Sequence, residues 1–185
     1  MAKRDRLDVR QIQGAVARST FWSDVIYRER VGSTNDVAKE LAHQGVPAGT
    51  VVVADEQTAG RGRLGRSWCA PARTSLLCSI LFRPDLPLEQ IHQLTMLCSM
   101  ASVDAIEKLG NLPVALKWPN DVVVTSSASD GTGPGWRKLA GVLTETGLTG
   151  DDLDFVVVGI GINVNVPGQE LNSLAPNATS VLSQL

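Results

Sequence analysis

The run Phe155-Val-Val-Val-Gly-Ile-Gly-Ile-Asn-Val-Asn165 constrains this chain more than any other stretch. It is continuous, apolar and rich in β-branched residues, the pattern of a buried strand. Gly159 and Gly161 weaken a strand interior unless another group approaches the backbone closely or a bulge falls there. Asn163, inside the same run, requires hydrogen-bond partners or a ligand.

The rest of the chain supplies a sheet for that strand. Strands are expected at 25–31 (VIYRERV), 50–57, 75–82, 113–117, 121–125, 138–146 and 154–164. A short helix is expected over 8–18. Ser33, Thr34 and Asn35 offer cap chemistry to a helix at 35–44, whose apolar face is Val37, Ala38, Leu41 and Ala42. Leu88, Ile91, Leu94, Cys98, Ala101, Ala105 and Leu109 recur at three- and four-residue spacing and mark the longest helix. Many consecutive strands beside few helices predict an α+β fold, a largely antiparallel mixed sheet with flanking helices. The 185 residues suit one domain, with 1–24 as an N-terminal helical segment and the small, polar segment 126–136 as a flexible hairpin insertion.

Composition excludes several functions. A net charge of −2 argues against coating nucleic acid through bulk charge, and eight aromatic residues do not make a stacking platform for single strands. No secretory h-region or membrane-length apolar run is visible. Cys69, Cys78 and Cys98 show no CxxC spacing and read as reduced, mostly buried cysteines of a cytoplasmic protein. His43 and His92 are too far apart to join them in a zinc site.

Charge is concentrated in one loop. Thr58-Ala-Gly-Arg-Gly-Arg-Leu-Gly-Arg-Ser-Trp68 carries Arg61, Arg63 and Arg66 with no acid among them. Gly60, Gly62 and Gly65 permit close backbone approach, exposed amides form anion-binding nests, and guanidinium forks bind carboxylate or phosphate. Gly60-x-Gly62-x-x-Gly65 matches the dinucleotide fingerprint literally. That fingerprint demands a helix opening at its third glycine, and RSWCAPART follows instead. Lys117-Trp-Pro-Asn-Asp121 joins two strands, so Lys117 is either an inward charge needing an anion or a surface lysine beside a plain turn. Gln57, at a strand end next to the loop, is a possible amide reader.

Five motifs stand in order: GSTN (32–35), EQTAGRGRLGRSW (56–68), KWPNDV (117–122), KLAGVLTE (138–145) and VVVGIGINVN (156–165). Together they resemble the catalytic domain of biotin protein ligases, also called biotin–[acetyl-CoA-carboxylase] ligases, over about residues 31–180. The resemblance implies a fold related to class II aminoacyl-tRNA synthetases and lipoate ligases. It implies that biotin and ATP form biotinyl-5′-AMP with release of pyrophosphate. The acyl group then passes to a lysine of a biotin carboxyl carrier protein.

The resemblance also implies residue roles. Lys117 and Arg63 are the catalytic charges. Ser33, Thr34, Asn35, Gln57, Gly60, Arg61, Gly62, Arg63, Lys117, Gly141 and Gly159 form the biotin site. Arg63, Arg66, Trp68, Lys117, Asn120 and Asn163 form the ATP site, with Trp68 stacking on adenine and Mg2+ neutralising the pyrophosphate. The Gly-Arg loop is expected to close over a water-sensitive intermediate. Only 31 residues precede Gly32 and the chain stops at Leu185, so neither a DNA-binding head nor a C-terminal β-barrel is expected, nor any nucleic-acid or membrane partner. Pairing of two chains through sheet edges stays open, as do a lipoate- or octanoate-type ligase of the same fold and a sensor that retains biotinyl-AMP with weak transfer.

Overall fold

Residues 6–125 and 135–185 are described by a computed structural model. In chain order the elements are α1 (Val9–Val16), β1 (Val25–Val31), α2 (Thr34–His43), β2 (Val51–Gln57), β3 (Ser75–Phe82), α3 (His92–Gly110), β4 (Val114–Lys117), β5 (Asp121–Thr125), β6 (Trp136–Thr149), β7 (Asp152–Asn163), α4 (Gly168–Leu174) and α5 (Val181–Gln184). The expected hairpin insertion at 126–136 lies, but for its last two residues, outside the described residues. The expected long helix begins later than its apolar stripe, because a 3-10 turn at Leu88–Gln90 follows Pro87. Both C-terminal helices fall in a region where the sequence pattern predicts no element.

Seven strands make one mixed sheet in the order β1-β2-β3-β7-β6-β5-β4. Only β1 and β2 run parallel, and every other neighbouring pair is antiparallel. The glycine-bearing strand β7 is central, flanked by β3 and β6. Strand alternation divides its side chains between two layers. Phe155 and Val157 join Val52, Leu81, Ala38 and Ala42 under α2. Val156 and Val158 join Val51, Val53, Ile80, Leu94 and Cys98 under α3. The two helices thus cover opposite faces.

The cysteines follow this layering. Cys69 is exposed, and burial pushes the thiols of Cys78 and Cys98 up to about 12 and about 11. No helix among the described residues is long and apolar enough to cross a membrane.

Candidate active site

The α2 face of the sheet changes character along β7. Past Phe155 and Val157 the same face carries Gly159 and Gly161, which register with Leu143 and Gly141 of β6. The missing side chains open a trough, and two groups enter it. A Cβ at position 159 would lie 2.2 Å from Asn35 Oδ1, and one at 161 would lie 2.6 Å from the Trp68 indole. The glycines serve close approach, as their cost in a strand interior requires, and β7 itself is not bulged there.

The start of α2 stands at the trough with Ser33, Thr34 and Asn35 all buried. Gln57 Oε1, at the end of β2, accepts from the Thr34 backbone N–H at 2.7 Å and from its hydroxyl at 2.9 Å. That bond satisfies one helix-terminal amide, and the Ser33 side chain makes no capping bond. Ser79 Oγ lies 2.8 Å from Thr34 Oγ1 and 2.6 Å from Asn35 Oδ1. This dense set of amides and hydroxyls can read a compact polar ring system.

The Gly-Arg segment is a small, internally bonded hairpin. Gly62 N–H donates to Arg66 O at 2.6 Å, Trp68 N–H to Gly60 O at 2.9 Å, and Arg66 N–H to Arg63 O at 3.2 Å. Leu64 and Gly65 both have positive φ, 57° and 73°, as a type I′ tip requires. Leu64 is 87% exposed there. Arg61 lines the cavity but is already partnered. Its guanidinium donates twice to Asp36, both bonds at 2.7 Å, and to Glu145 Oε2 at 3.1 Å. Glu145 also accepts from Asn35 Nδ2 at 2.6 Å and Lys39 Nζ at 3.0 Å. Burial alone would raise the Glu145 pKa, but these three donors more than offset it and hold the carboxyl below its ordinary range. Arg61 therefore ties the hairpin to α2 and β6.

The same bond from Arg61 lowers the Asp36 pKa from 3.8 to about 2. A carboxyl depressed in the folded state contributes stability above its unfolded pKa and loses it as pH falls through the folded value. Stability to urea is expected to fall as pH drops from about 4 to about 2, and Asp36→Asn is expected to flatten this slope. An unaltered slope in the variant removes Arg61–Asp36 from the account.

Trp68 occupies the trough itself. Its ring lies against Gly161 and Gly141, and its indole N–H is buried with no hydrogen-bond partner. The space left between Thr34, Gln57, Arg63, Trp68, Asn120 and Lys138 is about 50 Å3, far below the roughly 300–1,000 Å3 of small-molecule sites. Gly161→Ala is expected to force the ring out at a cost of about 1–3 kcal/mol. Denaturant unfolding reads the loss and a red-shifted tryptophan emission reads the displacement. Unchanged emission counts against the packing described.

Lysine 117 is not in this site. It is exposed at the end of edge strand β4, its Nζ 3.5 Å from the Trp136 ring centroid. The lysine that lines the cavity is Lys138, whose Nζ lies 2.6 Å from Asp121 Oδ1. Its placement comes from a bulge. The register of β5 on β6 passes from Val122↔Ala140 to Val123↔Lys138, leaving Leu139 extra. Leu139 and Ala140 both enter the core, and Lys138 is turned to the trough face. Bulges re-aim side chains next to active sites.

Asn163 is also elsewhere. Its amide donates to Thr179 O at 3.1 Å and its Oδ1 lies 3.4 Å from Ser75 Oγ, so it pins the segment before α5. Arg66 is exposed on the hairpin and does not line this cavity. Ser33, Thr34, Asn35, Gln57, Arg61, Gly62, Arg63, Trp68, Asn120, Gly141 and Gly159 do converge. Gly60 supports them from outside the lining, where a Cβ would meet Trp68 O at 2.5 Å. Among the described residues no three His, Cys, Asp or Glu side chains are grouped to hold a metal ion. Asp121 alone, paired with Lys138, does not make a metal cage.

Comparisons with known proteins agree on one family. Residues 27–163 match the biotin/lipoate A/B protein ligase family. The chain is 35% identical over 182 residues to the bifunctional ligase/repressor BirA of Bacillus spizizenii, covering 98% of this chain and 53% of that protein. It is 34% identical to the biotin–[acetyl-CoA-carboxylase] ligase of Mycobacterium tuberculosis, covering 98% of this chain and 65% of that protein. The biotin protein ligase of Aquifex aeolicus, solved in complex with biotin and ATP, superposes with a TM-score of 0.64 at 34% identity, over 86% of this chain and 60% of that one. The chain thus spans about half to two thirds of the length of these relatives.

Proposed function

This chain belongs to the biotin/lipoate A/B protein ligase family, and from that premise we propose that it activates biotin with ATP and passes the acyl group to a carrier lysine. We read residues 1–185 as one catalytic unit. The observation that supports this best is the convergence of Lys138 and Arg63 on a glycine-floored trough lined by hydroxyls and amides.

In activation, a carboxylate oxygen attacks the α-phosphate of ATP, a C–O–P linkage forms and pyrophosphate leaves. Two anions must meet, so fixed positive charge beside them lowers the barrier. Lys138 is held by Asp121, and Arg63 reaches the same cavity from the hairpin. Thr34, Asn35 and Gln57 suit the ureido head of biotin, and Leu143 with the bare glycine backbone suits its apolar ring and chain. Trp68 must leave the trough, which frees an indole to stack on a base. Arg61 acts here as a strut for the hairpin, and Mg2+ enters with the ATP phosphates.

Incubation with ATP, labelled biotin and a biotin carboxyl carrier domain tests the proposal. Labelled carrier and biotinyl-AMP are expected. The absence of both overturns it. Pyrophosphate exchange driven by lipoate in preference to biotin assigns the chain to the other branch of its family. Adenylate retained without any transfer assigns it to a sensor.

A further inference from the structure

A second cavity of about 210 Å3 lies beside the first, between the turn after β4, the start of α3 and the middle of β6. The two share Arg63, Asn120, Val142 and Leu143 as walls. One hydrogen bond spans the polar part of that partition, from Arg63 Nη1 to Asn120 Oδ1 at 3.1 Å. Asn120 is fixed from behind. Its Nδ2 donates to Val142 O at 2.9 Å, and its backbone carbonyl accepts from Val142 N–H at 2.9 Å.

We propose that this second cavity admits the acceptor lysine and that Asn120 orients the incoming amine. The inference rests on the acyl-adenylate reading of the first cavity. Met96, Trp118, Pro119 and Val142 give apolar walls for the methylene stem, and Asn120 gives a polar end. None of the described lining residues is acidic. Desolvation, the Arg63 cation and the positive end of α3 all favour the neutral amine, which is the nucleophile. Trp118, 77% exposed at the turn, offers a ring on which residues flanking the acceptor lysine can rest.

The partition supplies the timing. Once Arg63 turns to the adenylate phosphate, Asn120 Oδ1 loses its donor and can accept an amine N–H. The nitrogen lone pair then forms the C–N bond to the acyl carbon. The C–O bond to phosphate breaks, and AMP leaves with that electron pair. The proton lost by nitrogen passes to the phosphate or to water.

Transfer and activation can be measured separately on the full chain. Met96→Trp fills the second cavity without touching the first. It is expected to slow transfer roughly tenfold or more, the scale of a lost alignment, both to a biotin carboxyl carrier domain and to Nα-acetyl-lysine amide. Biotin-dependent pyrophosphate exchange should stay within about twofold. Asn120→Ala is expected to lower the ratio of transfer to exchange by about tenfold, which covers the case where the tryptophan variant does not fold. Transfer unchanged in both variants overturns the proposal. So does a parallel fall of exchange, which gives the cavity to phosphate, or a loss confined to the carrier domain, which makes it a docking surface only. No exchange in the unaltered protein overturns the activation reading itself.

Discussion

Lys138→Ala is expected to slow formation of the acyl-adenylate by roughly 10²–10³, about 2.7–4 kcal/mol, while Lys117→Ala leaves it within a few-fold. Lys138 Nζ lies in the trough, 2.6 Å from Asp121, and Lys117 lies on Trp136 outside it. Removing the first lysine withdraws a positive charge from the proposed meeting point of carboxylate and phosphate. It also leaves Asp121 as an unpaired anion facing an incoming anion, so the loss exceeds that of one attractive contact. Biotin-dependent pyrophosphate exchange, with thermal unfolding as a control for the fold, measures both variants. Slow exchange in Lys117→Ala beside normal exchange in Lys138→Ala would falsify the assignment.

Phe155→Ala carries the largest expected cost in stability, about 3–5 kcal/mol. Phe155 is 1% exposed in the layer under α2, with Ala38, Ala42, Val52, Leu81 and Val157 around it. It pairs across the sheet with Gly147, where a Cβ would lie 2.2 Å from the ring, and the His43 ring stands at 86° to it with centroids 5.0 Å apart. The ring therefore fills space that two alanines and a glycine have vacated, and none of these can swell into the hole. For a chain of this length the melting temperature is expected to drop by roughly 6–20 °C. The same layer seats α2, whose first residues are the proposed biotin readers, so ligand affinity should weaken as well. A drop of only a degree or two would show that the site collapses freely.

Much of this was legible in the sequence because strand periodicity is a strong signal when β-branched runs are long. β1, β2, β3 and β7 fall where the apolar runs place them, and the two strand glycines mark close approach as their cost demands. Ser33, Thr34 and Gln57 come together because a helix start and a strand end are both fixed by sheet order. The place of Lys138 in the cavity is not legible in the sequence, for an equally physical reason. Regular alternation from Ala140 puts Lys138 on the core side, and only the extra residue at Leu139 turns it over. Nothing in KLAG announces a bulge, because the hydrogen bonds that stabilise it come from 177–179, far along the chain. Asn177 O accepts the Lys138 N–H at 2.7 Å, and Thr179 N–H donates to Lys138 O at 2.8 Å. The partners that place Asn163 outside the cavity, Ser75 and Thr179, are equally remote in sequence.

The indole of Trp68 in the trough has a kinetic consequence. A ligand cannot enter until that ring departs, so the observed association rate is expected to plateau at high ligand concentration, at the rate of ring departure. The bare indole N–H makes the plugged form costly to hold, which keeps that departure accessible.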